Sequence, residues 1–196
     1  MKEMKRSYAF SILGFAAIGI ILGTTGGQSR CYTEEVKTVR GSSLSGLVEP
    51  GTQITAAMGY YACNNIQRGD IVLYHFGGST EPLIKIVKAI PGDEWSLRPI
   101  DPRGRLPAGQ AGEDDKEIEE NISHIIVNNR VLENSLGEPY RVNAKEAKLL
   151  SLYLRDYGGV IQKSAYLILG NTVSGSTDSR RFGLVSSRDI LGKVLK

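Results

Sequence analysis

Short apolar or alternating runs dominate the chain after about residue 30 and predict a mainly β fold. Gly, Pro, Asn or Asp lies near the ends of each run, as is typical of short antiparallel strands. The runs cover residues 69–76, 82–90, 123–132 and 164–170. Within the third run, Asn128 and Asn129 predict a tight hairpin, because Asn tolerates the positive φ that such turns need.

One segment has the features of a helix. Asn143 can cap its N-terminus, and Glu146 three residues later completes a capping box. Apolar positions such as Leu150 lie on one face, and Gly158 ends the pattern. We therefore predict one short surface helix over residues 144–157.

A strongly apolar, uncharged segment follows the basic start of the chain. A helix over residues 8–27 would be about 30 Å long, which matches the hydrocarbon core of a bilayer. The basic start favours a cytoplasmic N-terminus. We expect residues 1–28 to form a cytoplasmic start and a transmembrane anchor, and residues 29–196 to form one exported domain. A cleavable signal peptide and a buried core helix are the alternatives.

Composition narrows the classes of partner and ligand. The net charge of +3 comes from basic residues scattered among acidic ones, which argues against a nucleic-acid partner. Cys31 and Cys63 are too few for the usual four-ligand zinc site. They either pair in the exported domain or remain two small apolar side chains. The acidic segment 101–121 is predicted to be a solvated surface loop, with a metal site as the alternative.

Candidate catalytic residues come from a serine and a lysine. His75 and His124 lie in predicted strands and are interpreted as structural, and the G-x-S-x-G nucleophile motif is absent. A serine hydroxyl needs a neighbouring base, and lysine can be that base only when its pKa is lowered. Lys85 has apolar flanks that would lower its pKa by burial. Lys88 is a competitor that faces the opposite side of a regular strand.

Four segments of the chain resemble, in order, the sequence boxes of type I signal peptidases. The first is similar to the nucleophile box, the second to a G-D-I/V-V strand start, and the third to the base box. The fourth resembles the G-D-N-R-x-x-S-x-D-S-R box. The segments are Val39–Gly51, Gln67–Val72, Lys85–Asp93 and Gly170–Arg180.

The resemblance implies a catalytic apparatus without a metal or organic cofactor. It implies Ser43 as the nucleophile and Lys85, at the start of the base box, as the general base. Ser176 would hydrogen-bond and orient the lysine, and Asp178 and Arg180 would hold this region together. The main-chain N–H of Ser43 would stabilise the oxyanion. Four residues match positions that line the substrate pockets: Val39, Leu44, Leu83 and Ile84.

The chain departs from the family boxes in two places near the proposed site. Gly46 and Leu47 replace a Pro-Thr pair, which we expect to loosen the turn after the nucleophile. The sequence Asn171–Val173 replaces Asp-Asn-Arg, which we expect to remove charged contacts. Leu44 replaces a Met of similar volume, and such a swap is tolerated.

The resemblance implies an antiparallel-sheet, signal-peptidase-like fold with an insert lacking family boxes around residues 96–162. It implies a single-pass enzyme of the cell membrane, in contact with lipid, with its catalytic domain on the outer side. The enzyme would remove signal peptides from exported preproteins that carry small residues before the cleaved bond. The alternatives are a pilus- or conjugation-type maturation peptidase, a self-cleaving repressor, and a non-catalytic membrane-tethered domain that binds peptides.

Overall fold

The computed structural model of the chain describes residues 31–100, apart from Gly78 and Thr80, and residues 122–195. The expected transmembrane anchor and the acidic surface loop lie outside the described residues. Among the helices that are described, none is both long enough and apolar enough to cross a bilayer.

Antiparallel strands form two sheets, which confirms the expected mainly β fold. A seven-stranded sheet has the order β1-β2-β11-β3-β4-β9-β10, and in a smaller sheet β6 pairs with β5, β7 and β8. The strands are β1 Thr33–Thr38, β2 Gln53–Met58, β3 Ile71–Tyr74, β4 Leu83–Ala89, β5 Trp95–Pro99, β6 Ser123–Val127, β7 Arg130–Val131, β8 Arg141–Val142, β9 Ala165–Leu169, β10 Val185–Ser186 and β11 Ile190–Leu195.

The larger sheet carries the segments that matter for chemistry. Strand β4 pairs with β3 on one side and β9 on the other, so its side chains lie in the interior of the sheet. Strand β11 returns from the C-terminus and inserts between β2 and β3. The loop between β1 and β2 and the segment after β9 both contain family boxes, and both approach β4.

The smaller sheet lies in the region without family boxes. The predicted hairpin between β6 and β7 is confirmed: Asn128 and Asn129 have φ values of 50° and 64°. One buried cluster joins this sheet to the larger one, because it includes residues of β4, β5, β6 and β9. Its buried members are Ala89, Trp95, Ile125, Val127, Tyr140, Val142, Leu150, Ile161, Leu167 and Leu169.

Two α-helices are described where the sequence predicted one. Helix α1, Ala144–Tyr157, has the predicted capping box between Asn143 and Glu146, and Gly158 ends it with a left-handed backbone. Helix α2, Ser179–Phe182, is a single short turn capped by the Asp178 side chain. The predicted helix is confirmed, and the second helix was missed because four residues have no amphipathic period to detect.

The described residues test two further expectations, which concern the pairing of the two cysteines and the position of the two histidines in strands. Cys31 and Cys63 form a disulfide, with Cα atoms 6.4 Å apart, so the pairing left open by the sequence is made. His124 lies in β6 as predicted, whereas the strand prediction for His75 was wrong, because β3 ends at Tyr74. Just beyond the end of β3, the main-chain N–H of His75 donates to the main-chain carbonyl of Asp189.

Candidate active site

The loop between β1 and β2 holds Ser43. Main-chain hydrogen bonds from Val39 to Thr52 and from Gly51 to Val39 close the loop at its base. Leu44 has no exposed surface and anchors the loop in a small apolar cluster. Ser43 is therefore half-buried, on a loop fixed at both its ends and its centre.

Lys85 lies in the middle of β4 and is only 2% exposed. Its Nζ is 3.0 Å from Ser43 Oγ and 2.8 Å from the carbonyl oxygen of Ile84. The Ser43 hydroxyl is also 3.4 Å from the same Ile84 carbonyl. Charged Lys85 donates to both oxygens, whereas neutral Lys85 has a lone pair that can accept the Ser43 proton.

The environment of Lys85 favours the neutral amine. Burial lowers the pKa of Lys85 to about 8, while the Asp178 carboxylate raises it and the Arg180 guanidinium lowers it. Burial acts in this direction because a low-dielectric surrounding disfavours the charged form. With a pKa near 8, about half of the molecules carry neutral Lys85 at pH 8.

Lys88 points away from this pair. Its Nζ donates to the Glu133 carbonyl at 2.8 Å and lies 5.1 Å from the centre of the Tyr140 ring. The alternation of a strand predicts this separation of Lys88 from Lys85. Of the two lysines of the base box, the structure places Lys85 beside Ser43.

Asp178 and Arg180 form a buried ion pair behind the site. The Arg180 Nε and Nη2 atoms donate to the two carboxylate oxygens at 2.9 and 2.7 Å. The same carboxylate accepts the main-chain N–H of Gly170 at 3.0 Å. Arg180 also donates to the carbonyls of Thr172 and Val173, so the pair fixes the segment after β9.

Ser176 lies near Ser43 but forms no hydrogen bond with Ser43 or Lys85. It is 4% exposed, and its Oγ has no hydrogen-bond partner among the described residues. The hydrogen bond to Lys85 that the resemblance implies is therefore not formed in this structure. A Cβ at Gly170 would lie 2.6 Å from Ser176 Oγ and 2.7 Å from the Ser43 carbonyl oxygen. Only glycine allows these two serines to lie on either side of residue 170.

A groove of about 260 Å³ adjoins the nucleophile loop. Of the four residues expected to line substrate pockets, Val39 and Ile84 line it and Leu44 and Leu83 do not. An ion pair between Arg40 and Glu81 at 3.3 Å contributes to its wall. The lining residues are Lys37, Thr38, Val39, Arg40, Ile54, Leu73, Glu81, Pro82 and Ile84.

A larger cavity of about 530 Å³ lies near the start of α1. None of its lining residues has a hydroxyl or thiol group, so we place the candidate site at Ser43 on chemistry and not on volume. The lining residues are Asn143, Lys145, Glu146, Leu149, Arg180 and Arg181.

Two contributors to the site were missed from the sequence. The carbonyl of Ile84 contacts both Ser43 and Lys85, and a main-chain atom leaves no signal in a sequence motif. Asn171 is buried beside the nucleophile loop and bonds to it. Its signal was present as a departure from the family box, but that departure was interpreted only as a loss of charge.

Comparisons with known proteins find similarity to the same family that the four boxes resemble. The family model described as "Signal peptidase, peptidase S26" matches residues 109–195. Signal peptidase IB proteins of Staphylococcus aureus strains COL, Mu50 and N315 are 25% identical to the chain over 157 residues, which is 80% of this chain and 73% of theirs. That alignment extends upstream of the family-model match, which begins after Ser43 and Lys85. The two comparisons confirm the resemblance predicted from the four boxes.

Proposed function

We propose that this relative of the type I signal peptidases is a membrane-bound serine endopeptidase that removes signal peptides from exported preproteins. Ser43 is the nucleophile and Lys85 is the general base. The observation that carries the proposal is the 3.0 Å contact between Lys85 Nζ and Ser43 Oγ in a buried setting. This distance lies within the reach needed for direct proton transfer between a nucleophile and its base.

The reaction proceeds through an acyl-enzyme. Neutral Lys85 accepts the proton of Ser43 as Oγ attacks the scissile carbonyl carbon. Protonated Lys85 then gives this proton to the leaving amine, and the ester between Ser43 and the substrate remains. Lys85, neutral again, accepts a proton from the water that hydrolyses this ester. As the ester bond breaks, protonated Lys85 returns this proton to Ser43 Oγ, so the cycle ends with free Ser43, neutral Lys85 and the two halves of the substrate.

The oxyanion of this reaction needs preorganised donors. We assign this role to the main-chain N–H of Ser43. Gly41, two residues earlier, has no side chain that could add a second donor. The loop geometry supports the assignment, because hydrogen bonds at the loop base and the buried Leu44 fix the backbone around Ser43.

The substrate binds in the groove of about 260 Å³ as an extended strand. Ile84 supports this placement, because it both lines the groove and contacts Ser43 through its carbonyl. Val39 and Ile84 match positions that line shallow apolar pockets in the family, and a shallow pocket favours small substrate residues before the cleaved bond. A substrate in this groove therefore presents its scissile carbonyl next to the serine.

Export of the catalytic domain is part of the proposal. The disulfide between Cys31 and Cys63 supports it, because disulfides persist in oxidising compartments outside the cytoplasm. The apolar segment near the N-terminus would then anchor the chain once in the cell membrane. The N-terminus lies in the cytoplasm and the catalytic domain on the outer side, where signal peptides are cleaved from translocated chains.

Cleavage of a model preprotein with an Ala-x-Ala site tests the assignment. Ser43→Ala and Lys85→Ala should each lower kcat by at least about a thousand-fold, because the two residues act as one unit. Ser45→Ala and Lys88→Ala are matched controls from the same loop and strand, and they should stay within a few-fold of the wild type. Thermal unfolding checks that all four variants fold. Full activity of Lys85→Ala would remove the proposed mechanism.

A serine-acylating inhibitor distinguishes an enzyme from a peptide-binding domain without catalysis. The wild type should be labelled on Ser43, and Ser43→Ala should not be labelled. An unlabelled wild type that still binds the preprotein would assign the chain to the non-catalytic class. A pilus- or conjugation-type peptidase would be labelled as well, but it would leave the general preprotein uncleaved.

A further inference from the structure

Asn171 connects the nucleophile loop to a second loop, which consists of residues 134–138. Its side-chain Nδ2 donates to the carbonyl of Ser45 at 2.9 Å, and its Oδ1 accepts the main-chain N–H of Ser135 at 3.0 Å. Its own main-chain N–H donates to the carbonyl of Ser43 at 2.6 Å. One residue therefore bonds to the backbone on both sides of Leu44, next to the nucleophile.

Asn171 is itself held in place. It is 1% exposed, and its carbonyl accepts a hydrogen bond from the Asn134 side chain at 3.0 Å. Asn134 also accepts the main-chain N–H groups of Leu136 and Glu138, which fixes the second loop. The nucleophile loop is thus bonded to a buried residue that other hydrogen bonds hold in place.

The chemistry of these contacts requires an amide at position 171. Ser45 offers a carbonyl, which needs a donor, and Ser135 offers an N–H, which needs an acceptor. An asparagine side chain supplies one of each, whereas an ionised aspartate supplies only acceptors. The departure of Asn171 from the family box therefore has a local reason in this chain.

The second departure, at Gly46, lies against the first. Gly46 has a φ of 81°, and a Cβ at this position would lie 3.4 Å from Asn171 Nδ2. The Gly46 N–H also donates to the Glu49 side chain at 2.8 Å, which fixes the turn. The two departures therefore meet at one contact, where a glycine turn fits closely over the asparagine amide.

We propose that Asn171 is a positioning residue that sets the distance between Ser43 Oγ and Lys85 Nζ. This inference rests on the proposed function, since it concerns the same reaction. Its hydrogen bonds to the carbonyls of Ser43 and Ser45 fix the rotation of the loop that presents the hydroxyl. A displacement of about 1 Å in such a pair costs on the order of a hundred-fold in rate.

Two variants test the proposal on the full-length enzyme with the model preprotein. Asn171→Asp keeps the acceptor for Ser135 and loses the donor for Ser45. Asn171→Ala loses both bonds without adding a charge near Lys85. Asn128→Asp is the matched control, since Asn128 also donates to one partner, Asp93, and accepts from another, the Glu94 N–H.

The measurement is kcat and KM from pH 6 to pH 10, together with urea unfolding. We expect both Asn171 variants to lower the high-pH plateau of kcat by about ten- to a hundred-fold, with KM within about three-fold. Asn128→Asp should lower stability and leave the plateau unchanged. If kcat of Asn171→Asp reached the wild-type plateau at high pH, the added negative charge alone would explain the loss of kcat at lower pH. This result would count against the positioning role.

The outcomes separate this inference from the proposed function. An active wild type with unchanged kcat plateaus in folded Asn171→Asp and Asn171→Ala would overturn the positioning role alone. An inactive wild type would overturn the proposed function, and the positioning role with it. A loss of activity in Asn171→Ala that matched its loss of folded protein would also count against positioning.

Discussion

Lys85 and Arg180 are two buried cations whose surroundings differ. They are 2% and 1% exposed. Arg180 makes a bidentate ion pair with Asp178 and lies 5.5 Å from the centre of the Tyr140 ring. Lys85 contacts a hydroxyl and a carbonyl, and no carboxylate of the described residues lies within ion-pair distance of it.

The difference shows that burial lowers the pKa of both cations and that only Arg180 has a carboxylate partner strong enough to outweigh burial. A buried charge is retained when it is paired and fully hydrogen-bonded, and an unpaired one tends to neutralise. Asp178 raises the pKa of Lys85 and Arg180 lowers it, so the two members of the ion pair act in opposite directions and the effect of burial dominates. Pairing Asp178 with Arg180 thus leaves Lys85 free to act as a base.

The largest expected effect comes from breaking the ion pair. Arg180→Met should cost about 3–5 kcal/mol of stability, because it leaves the Asp178 carboxylate buried without its partner. Arg181→Met, at the exposed neighbouring position, is the control and should cost less than about 0.5 kcal/mol. Urea unfolding measures both. A loss for Arg180→Met as small as that of the control would show that the pair does not stabilise the fold.

Replacing Lys85, the other buried cation, should raise the free energy of unfolding and not lower it. A pKa lowered from 10.5 to about 8 means that the unfolded chain binds more protons than the folded one between these pH values, so stability rises with pH there. Below pH 8 the full cost of burying the charge is present. Lys85→Met should therefore stabilise the protein at pH 7 by up to about 3 kcal/mol, and the gain should vanish above pH 10.5.

Urea unfolding at pH 7 and pH 11 checks the effect of Lys85→Met. Lys88→Met is the matched control from the same strand. It should give a smaller gain, because Lys88 is only partly buried and donates to the Glu133 carbonyl. Equal stability of the wild type and Lys85→Met at pH 7 would contradict an unpaired, destabilising charge at position 85.

Local features of the fold were predictable from the sequence. The helix over residues 144–157 follows from its capping box and its terminal glycine, and the hairpin follows from Asn128 and Asn129, since all of these act over a few residues. Strand β1 was missed because most of its side chains are exposed and no apolar alternation marks it. The position of β11 between β2 and β3 depends on contacts distant in sequence.

The candidate site was predictable only in part. Alternation along β4 separated Lys85 from Lys88, but the resemblance to family boxes was needed to choose between them. The approach of Ser43 to Lys85 depends on how the β1–β2 loop folds against β4, and no local pattern encodes it. The contacts of Asn171 escaped prediction because its partners are main-chain atoms, which every residue possesses.

The pH dependence of activity tests the neutral state of Lys85 directly. Only molecules with neutral Lys85 react, so kcat/KM should rise about tenfold per pH unit below pH 7 and level off above about pH 8. Lys88→Met should show the same profile as the wild type. A profile that levels off only near the ~10.4 of free lysine would mean that Lys85 is not desolvated in the active enzyme.

The smallest expected effect tests whether the position of Ser43, the partner of Lys85, depends on the contact between Gly46 and Asn171. Gly46 and Gly51 have φ values of 81° and 86°, so alanine at either position should cost about 1–2 kcal/mol of stability. At Gly46 the new Cβ would contact Asn171 Nδ2 at 3.4 Å and Leu136 Cδ1 at 3.6 Å, whereas no atom lies within 4 Å at Gly51. Gly46→Ala should therefore lower kcat several-fold and Gly51→Ala should leave it unchanged, at matched losses in urea stability. Equal kcat values for the two variants would mean that the contact with Asn171 does not influence Ser43, and that the serine is oriented by the loop alone.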